Sequence, residues 1–471
     1  MEKPNILFVM SDDHASHAMS CYGSKINQTP NLDRIAEGGM RFDNCFCTNG
    51  ICTPSRAAIL TGNYNHINGV TTLSTHMDNR LQTFPKLLQE AGYQTGIFGK
   101  WHLGRGPEHC PTGFDEWTVL PGQGLYHNPE FIFHGPEGGT ARTVQGYVTD
   151  LITDFTLDFL ARRDRDRPFC ALYHHKAPHR HWEPDEKHAH LYLNEEISEP
   201  ETLYDDYSNR SAAAREARMR VGVDMRPIDL KCELPDLPEM EMRKWAYQRY
   251  IKDYLRVVAS IDSNVGRVLD YLDEEGIADN TVVIYTSDQG FYLGDHGWYD
   301  KRFMYEESLR MPFIIRHPQG IAAGRVNEDM ILNVDFAPLF LDLAGLPVSD
   351  DMQGRSFRPL LNGETPDDWR QGMYYRYWMH GDGAHNVYAH YGLRTHQHKL
   401  IYFYNDGLNQ PGSGHEAHQP EWELFDLEKD PYELKSVYDD PMYADLVPVL
   451  KDELHRLQDE VRDERYPPDV D

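Results

Sequence analysis

The sequence of 471 residues contains no apolar run near the roughly 18–20 residues needed to span a bilayer, so no transmembrane helix is expected. No secretory leader is expected either. Met1-Glu2-Lys3-Pro4 runs straight into the apolar stretch 5–10, which is too short for an h-region and is followed by no small-residue cleavage site. A cytoplasmic product is the expectation, or a secreted or periplasmic one had a signal been removed. Paired CxxC motifs are also missing. The seven cysteines (21, 45, 47, 52, 110, 170 and 232) are odd in number and suit reduced thiols better than a disulfide or zinc framework. Basic residues are scarce, 46 against 75 acidic, giving a formal charge of −29. Nucleic acid and anionic membranes would be repelled at long range, so neither is an expected partner. The acidic excess reads as a solubilising surface, and a site for an anion would need its own local cations.

What the chain does have is an ordinary globular composition, 40 % hydrophobic and 12 % aromatic, and length for two or three domains. Short apolar runs at 5–10, 95–98, 169–173, 281–286 and 313–315 alternate with helical stretches. They predict buried strands of a large, mostly parallel sheet flanked by helices, an α/β fold. The clearest helix is 250–272, where Ile251, Leu255, Val258, Ile261, Val265, Val268 and Leu272 step by three or four and Gly276 follows as a stop. Residues 194–241 are acidic, proline-bearing and weakly periodic, an excursion from the main fold. The pattern changes near Leu361-Asn362-Gly363-Glu364-Thr365-Pro366. Beyond it, 373–378, 390–394 and 399–404 read as strands, and 443–461 as a helix with Leu446, Val449, Leu450, Leu454 and Leu457 on one face. The expected organisation is therefore a main α/β domain over 1–365 and a small C-terminal subdomain over 366–471, an antiparallel sheet with one helix.

In an open parallel sheet, ligands bind beyond the carboxyl ends of the strands. Four of the predicted strands are followed there by polar clusters: Ser11-Asp12-Asp13, Gly99-Lys100-Trp101-His102, His174-His175-Lys176-Ala177-Pro178-His179 and Ser287-Asp288-Gln289-Gly290. Carboxylates gathered at one buried edge repel each other unless a cation sits among them. Asp12, Asp13 and Asp288 with the Gln289 amide oxygen form an all-oxygen set suited to a hard cation, Ca²⁺ first and Mg²⁺ second. The plainer alternative has Asp12 and Asp13 capping a helix and Asp288 making a turn. A further segment, Cys52-Thr53-Pro54-Ser55-Arg56, opens a short helix ending at Gly62, with Thr53 as the expected N-cap and Pro54 in the first turn. Cys52 then lies at the positive helix end, a place for an anionic nucleophile or oxyanion, unless it is only a small core residue.

Cys52-Thr53-Pro54-Ser55-Arg56 followed by Ala57-Ala58-Ile59-Leu60-Thr61-Gly62 resembles the signature of the type I sulfatases, within the alkaline-phosphatase-like superfamily. The resemblance continues through 5–13, 29–33, 99–104, 176–179, 287–290, 300–307 and 423–431. It implies an alkaline-phosphatase-like fold and a sulfatase in which a maturation enzyme oxidises Cys52 to formylglycine. The hydrated aldehyde would attack sulfur with one hydroxyl, and its adduct would expel sulfate to re-form the aldehyde. Carried over by position, Asp12, Asp13, Asp288 and Gln289 would bind the metal together with residue 52. Arg56 would hold the diol, Lys100 and Lys301 would contact sulfate, His102 would be the base and His179 the acid for the leaving alcohol. Gln289 departs from the pattern, since many members carry Asn or His there.

Residues 288–302 look like those of bacterial sulfatases acting on sulfated sugars, including N-acetylglucosamine-6-sulfatase-like and iduronate-sulfatase-like groups. The resemblance therefore implies a sulfated small molecule or oligosaccharide as substrate. Trp101, His296, Trp298, Arg302 and His380 are candidates for binding it, as are Trp378, His385 and Arg394, although Trp298 and Trp378 read first as core aromatics. Other readings are a phosphonate monoester or phosphodiester hydrolase of the same superfamily and a silent glycan-binding protein with unmodified Cys52. A thiol hydrolase is disfavoured, because three nearby carboxylates oppose a thiolate.

Overall fold

The computed structural model describes residues 3–466; residues 1–2 of the segment read for a leader and 467–471 of the expected subdomain fall outside them. Ten of the described strands form one sheet: β1 (Asn5–Ser11), β2 (Met40–Phe42), β3 (Gln94–Lys100), β4 (Glu116–Leu120), β5 (Glu130–Phe133), β6 (Thr140–Thr143), β7 (Phe169–His174), β8 (Thr281–Ser287), β9 (Phe313–Arg316) and β10 (Arg325–Asn327). Their order is β10-β2-β9-β8-β1-β7-β3-β4-β5-β6. The five central strands, β8 to β4 in that order, run parallel. Antiparallel pairing enters on both sides, at β9 against β8 and at β5 against β4. The sheet is thus mixed at its margins, and the run 313–315 belongs to an antiparallel strand. The outer strands gave no apolar run because they are short or, like β6, exposed along their whole length.

The unbroken apolar run of β1 follows from burial on both faces. Ile6, Phe8 and Met10 enter one core with residues of α2 (Cys52–Thr61) and α5 (Phe336–Leu343), where the Phe8 ring lies 5.0 Å from that of Phe340. Leu7 and Val9 enter the other, with α1 (Pro30–Glu37), α3 (Val148–Arg162) and α4 (Glu239–Glu274). Each such side chain contributes roughly 1.5–3 kcal/mol on burial. The whole predicted stripe from Ile251 to Leu272 is buried, but α4 starts at Glu239, inside the stretch read as an excursion.

The C-terminal strands β11 (Gly372–Tyr377), β12 (His390–Thr395), β13 (His398–Phe403) and β14 (Glu421–Asp426) make an antiparallel sheet in that order. Helix α6 (Leu446–Val461) packs Leu450, Leu454, Leu457 and Val461 inward. Val449, expected on that face, lies one residue off the stripe and is 60 % exposed. The aromatic residues of this sheet join the same core as α2 and α5. Tyr375 reaches the main sheet's loops directly: its hydroxyl donates to the Arg302 carbonyl at 2.6 Å and accepts from the Gly50 N–H at 2.9 Å. No helix of the described residues is long and apolar enough to cross a membrane.

Candidate active site

Strands β8, β1, β7 and β3 are consecutive neighbours in the sheet and parallel, so their polar continuations share one edge. Asp12 and Asp13 follow β1, and Asp288 and Gln289 follow β8. The Asp13 N–H donates to Asp288 Oδ1 at 3.3 Å, which ties the two turns together. Gly99 lets β3 come close to β7, since a Cβ there would lie 1.9 Å from the His174 carbonyl oxygen.

Helix α2 starts at Cys52, with Ile51 in the N-cap position, so Thr53 is not the cap that its side chain suggested. Thr53 instead donates its hydroxyl to the His102 carbonyl at 3.0 Å and lies 3.2 Å from His102 Nδ1. Cys52 is 1 % exposed at the first helical turn. Burial, opposed by Lys301 and reinforced by Asp288 and Asp13, pushes its thiol up to about 11. A thiolate is therefore the wrong species for this position, which weighs against direct thiol catalysis. Arg56 donates Nε to Asp288 Oδ2 at 2.9 Å and Nη1 to the Lys100 carbonyl at 2.9 Å, while its Nη2 is buried without a partner.

Buried oxygens without partners mark where a metal would fit. Asp12 Oδ1 and Gln289 Oε1 are buried and accept no hydrogen bond, while Asp12 Oδ2 is met by Lys100. Such atoms are costly unless a cation or water satisfies them. Lys100 Nζ presses against Asp12, and Lys301 Nζ lies 2.6 Å from Asp13 Oδ1 and 2.7 Å from Oδ2. Even so, burial pushes the Asp13 carboxyl up to about 6, Lys301 opposing and Asp300 and Asp288 adding to the rise. Asp12, Asp13 and His179 place one ligand atom each within 4.8 Å of one another. Orphaned hard oxygens and mutually repelling acids fit a hard divalent cation.

His179 Nδ1 lies 2.9 Å from the Arg180 carbonyl, which only accepts, so Nδ1 carries the proton and Nε2 faces Asp13 Oδ2 at 3.8 Å. Burial and the surrounding lysines hold both His102 and His179 well below the usual imidazole range. Both are neutral in the free site.

The structure thus brings together Asp12, Asp13, Cys52, Arg56, Lys100, His102, His179, Asp288, Gln289 and Lys301. The candidates for sugar binding are placed otherwise. Trp101 is buried, with its indole N–H given to the His109 carbonyl at 2.8 Å. Trp298 is fully buried between Tyr207 and Tyr305, at ring distances of 5.2 and 5.7 Å. His296 stacks on Tyr305 and sits between Asp205 and Glu307, and His380 is held by the Glu416 carbonyl and the Ala389 N–H. None of these four presents a free ring; each is held by packing or hydrogen bonds. Arg302 is also buried, bonded to Tyr377 and 3.3 Å from Asp300, where it braces the Lys301 loop.

Two residues near the centre gave no sequence signal. Gln123, after β4, accepts from Lys100 Nζ at 2.5 Å and lies 4.0 Å from the Cys52 sulfur. Arg180 lies 3.8 Å from Asp300 and is anchored to Asp229, a residue of the excursion.

A model of the sulfatase family matches residues 4–346, and one described as N-sulphoglucosamine sulphohydrolase, C-terminal, matches 294–460. The chain is 43 % identical to an N-acetylglucosamine-6-O-sulfatase of Bacteroides thetaiotaomicron, over 98 % of this chain and 88 % of that one. It is 27 % identical to an arylsulfatase of Clostridium perfringens, over 95 % and 93 %. The solved structure of BT4656 in complex with its substrate D-glucosamine-2-N,6-O-disulfate superposes with a TM-score of 0.90 at 42 % identity, covering all of both chains. A phosphonate monoester hydrolase from Silicibacter pomeroyi, at 22 % identity, 99 % and 97 % coverage and a TM-score of 0.77, shares the fold.

Proposed function

The chain belongs to the sulfatase family and is a sulfuric ester hydrolase, and from that premise we propose that it removes the 6-O-sulfate of a glucosamine-type sugar. The observation that carries this choice of substrate is the 43 % identity, across 98 % of the chain, to an N-acetylglucosamine-6-O-sulfatase. In this reading a maturation enzyme oxidises Cys52 to formylglycine, whose hydrate supplies a hydroxyl nucleophile and a way to expel sulfate without water attacking an ester. Asp12, Asp13, Asp288 and Gln289 would hold Ca²⁺, which supplies positive charge beside the sulfate oxygens.

The chain's own residues then divide the remaining work. Arg56, locked to Asp288, fixes the group at residue 52. Lys100 and Lys301 flank the acids and hold the sulfate oxygens as charge develops on them. His102 is neutral and can take a proton from the second hydroxyl; its backbone carbonyl is pinned by Thr53. His179 hands a proton to the leaving alcohol from Nε2. Burial and the lysines hold it well below the usual imidazole range, so Nε2 must first take up a proton, which the negative charge of the bound sulfate favours.

Turnover of N-acetylglucosamine-6-sulfate, N-acetylglucosamine-3-sulfate, N-acetylgalactosamine-6-sulfate and a phosphonate monoester by the calcium-loaded protein tests the proposal. We expect kcat/KM for the first to exceed each of the others by at least about tenfold. Faster turnover of the phosphonate or of the 3-sulfate would overturn it.

A further inference from the structure

Beside His102 lies a cleft of about 310 Å³, lined by Thr53, His76, His102, Arg105 and Gly122 among others. Among the described residues no acidic side chain lines it. The three cations at the centre, Arg56, Lys100 and Lys301, are buried and engaged by Asp288, Asp12 and Asp13. Arg105 differs from them. It lies exposed on the loop after β3 and has no ion pair or hydrogen bond among the described residues. Its Nη2 lies over Gly122, whose absent Cβ would stand 3.5 Å away, so that no side chain there covers the guanidinium. Gly122 has φ of +58°, which disfavours any larger residue. His76, also exposed, stands beside it on the same wall, its ring 5.3 Å from that of His109.

In a protein of formal charge −29, a cation left unpaired at the mouth of an anion-processing site has an evident ligand class. We propose that this cleft binds a second anionic group of the substrate, a sulfate or carboxylate carried by the sugar that bears the scissile sulfate or by its neighbour. Arg105 is the principal contact and His76 assists. The arginine fork suits a tetrahedral sulfate or a planar carboxylate equally. The proposal rests on the reading of the substrate as a sulfated sugar, and it makes the enzyme selective for multiply charged sugars.

Calorimetry on calcium-loaded Cys52→Ala protein, which holds ligands without turnover, tests it with three probes. These are N-acetylglucosamine-6-sulfate, glucosamine-2-N,6-O-disulfate, and a disaccharide with a uronic acid next to N-acetylglucosamine-6-sulfate. At least one doubly charged probe should bind roughly tenfold more tightly than the singly charged one. Which probe does so tells whether the second anion sits on the same sugar or the next. Adding Arg105→Ala should bring that ratio to within about twofold, and Arg105→Lys should restore part of it. Equal affinity for singly and doubly charged probes, no binding of any probe, or a preference that survives Arg105→Ala would overturn the proposal. Because the readout is binding, a preference that persists where the unsubstituted enzyme turns over none of the three would refute the substrate reading alone.

Discussion

Two buried clusters of charge in this molecule have similar composition and opposite logic. One, at the carboxyl edge of the main sheet, sets Asp12, Asp13 and Asp288 against Arg56, Lys100 and Lys301. The other joins the main sheet's loops to the C-terminal sheet. There Glu306 meets Arg394 at 3.1 Å, Lys399 at 2.9 Å and Arg310 at 2.5 Å, and Lys399 also reaches Glu433 at 2.6 Å. In the second cluster each acid is enclosed by cations and by backbone N–H groups, such as that of Glu306 on Glu433. In the first, Asp12 Oδ1 and Gln289 Oε1 are buried without a hydrogen-bond partner, and Lys100 meets Asp12 only at Oδ2. Every acid oxygen of the second cluster meets a cation or an N–H, whereas the first leaves oxygens over that a bound cation would take up. Closure of the ion pairs, rather than their burial, separates a structural charge cluster from a reactive one.

Lys399→Ala should break the closed cluster and give the largest stability loss, because it strands Glu433 in a buried site and takes one of its three cations from Glu306. A loss of about 3–5 kcal/mol in denaturant unfolding is expected, with kcat per folded molecule unchanged. Calcium acts on the open cluster instead. At about a hundredfold its Kd it should stabilise the protein by about 2.7 kcal/mol, read as a rise in Tm. Asp12→Asn should abolish most of that rise, whereas Lys399→Ala should retain it. Lys301→Ala sharpens the contrast from the catalytic side: removing one charge-assisted contact to sulfate, about 1.5–3 kcal/mol, should lower kcat/KM by more than tenfold. The smallest effect concerns the surface. Screening over about 8–10 Å weakens long-range repulsion more than the close contacts, so moderate sodium chloride should raise kcat/KM by no more than a few fold at low substrate. A steep fall from low salt upward would mean that the global field attracts the substrate.

The open cluster was legible because its residues ride at the ends of strands that are apolar without interruption, a pattern visible in one dimension. Asp12, Asp288, Lys100 and His179 needed only the rule that such strand ends share an edge. The sequence left Trp298 between a core and a sugar-binding role and offered His296 as a sugar contact, because what decides their surroundings lies elsewhere in the chain. Tyr207 closes over the Trp298 ring from the excursion, and Tyr305 and Phe303 close from the other side. Gln123 follows a short strand with no distinctive neighbours, and only the sheet order β3-β4 brings it over Lys100. The start of α4 was missed because the turns around Trp245 and Tyr247 mix polar and aromatic residues, and their burial depends on the excursion that covers them.

The account depends most on residue 52. Cys52 is buried and its thiol is pushed up to about 11, which disfavours a thiolate at neutral pH. Preparations made with and without co-expressed maturation enzyme can be compared by the mass spectrum of the peptide containing residue 52 and by the rate of desulfation of N-acetylglucosamine-6-sulfate. The predicted result is a rate proportional to the fraction of residue 52 converted to the aldehyde, with Cys52→Ala lower than the fully converted enzyme by at least about a thousandfold. Full activity in protein whose residue 52 is entirely cysteine would contradict it.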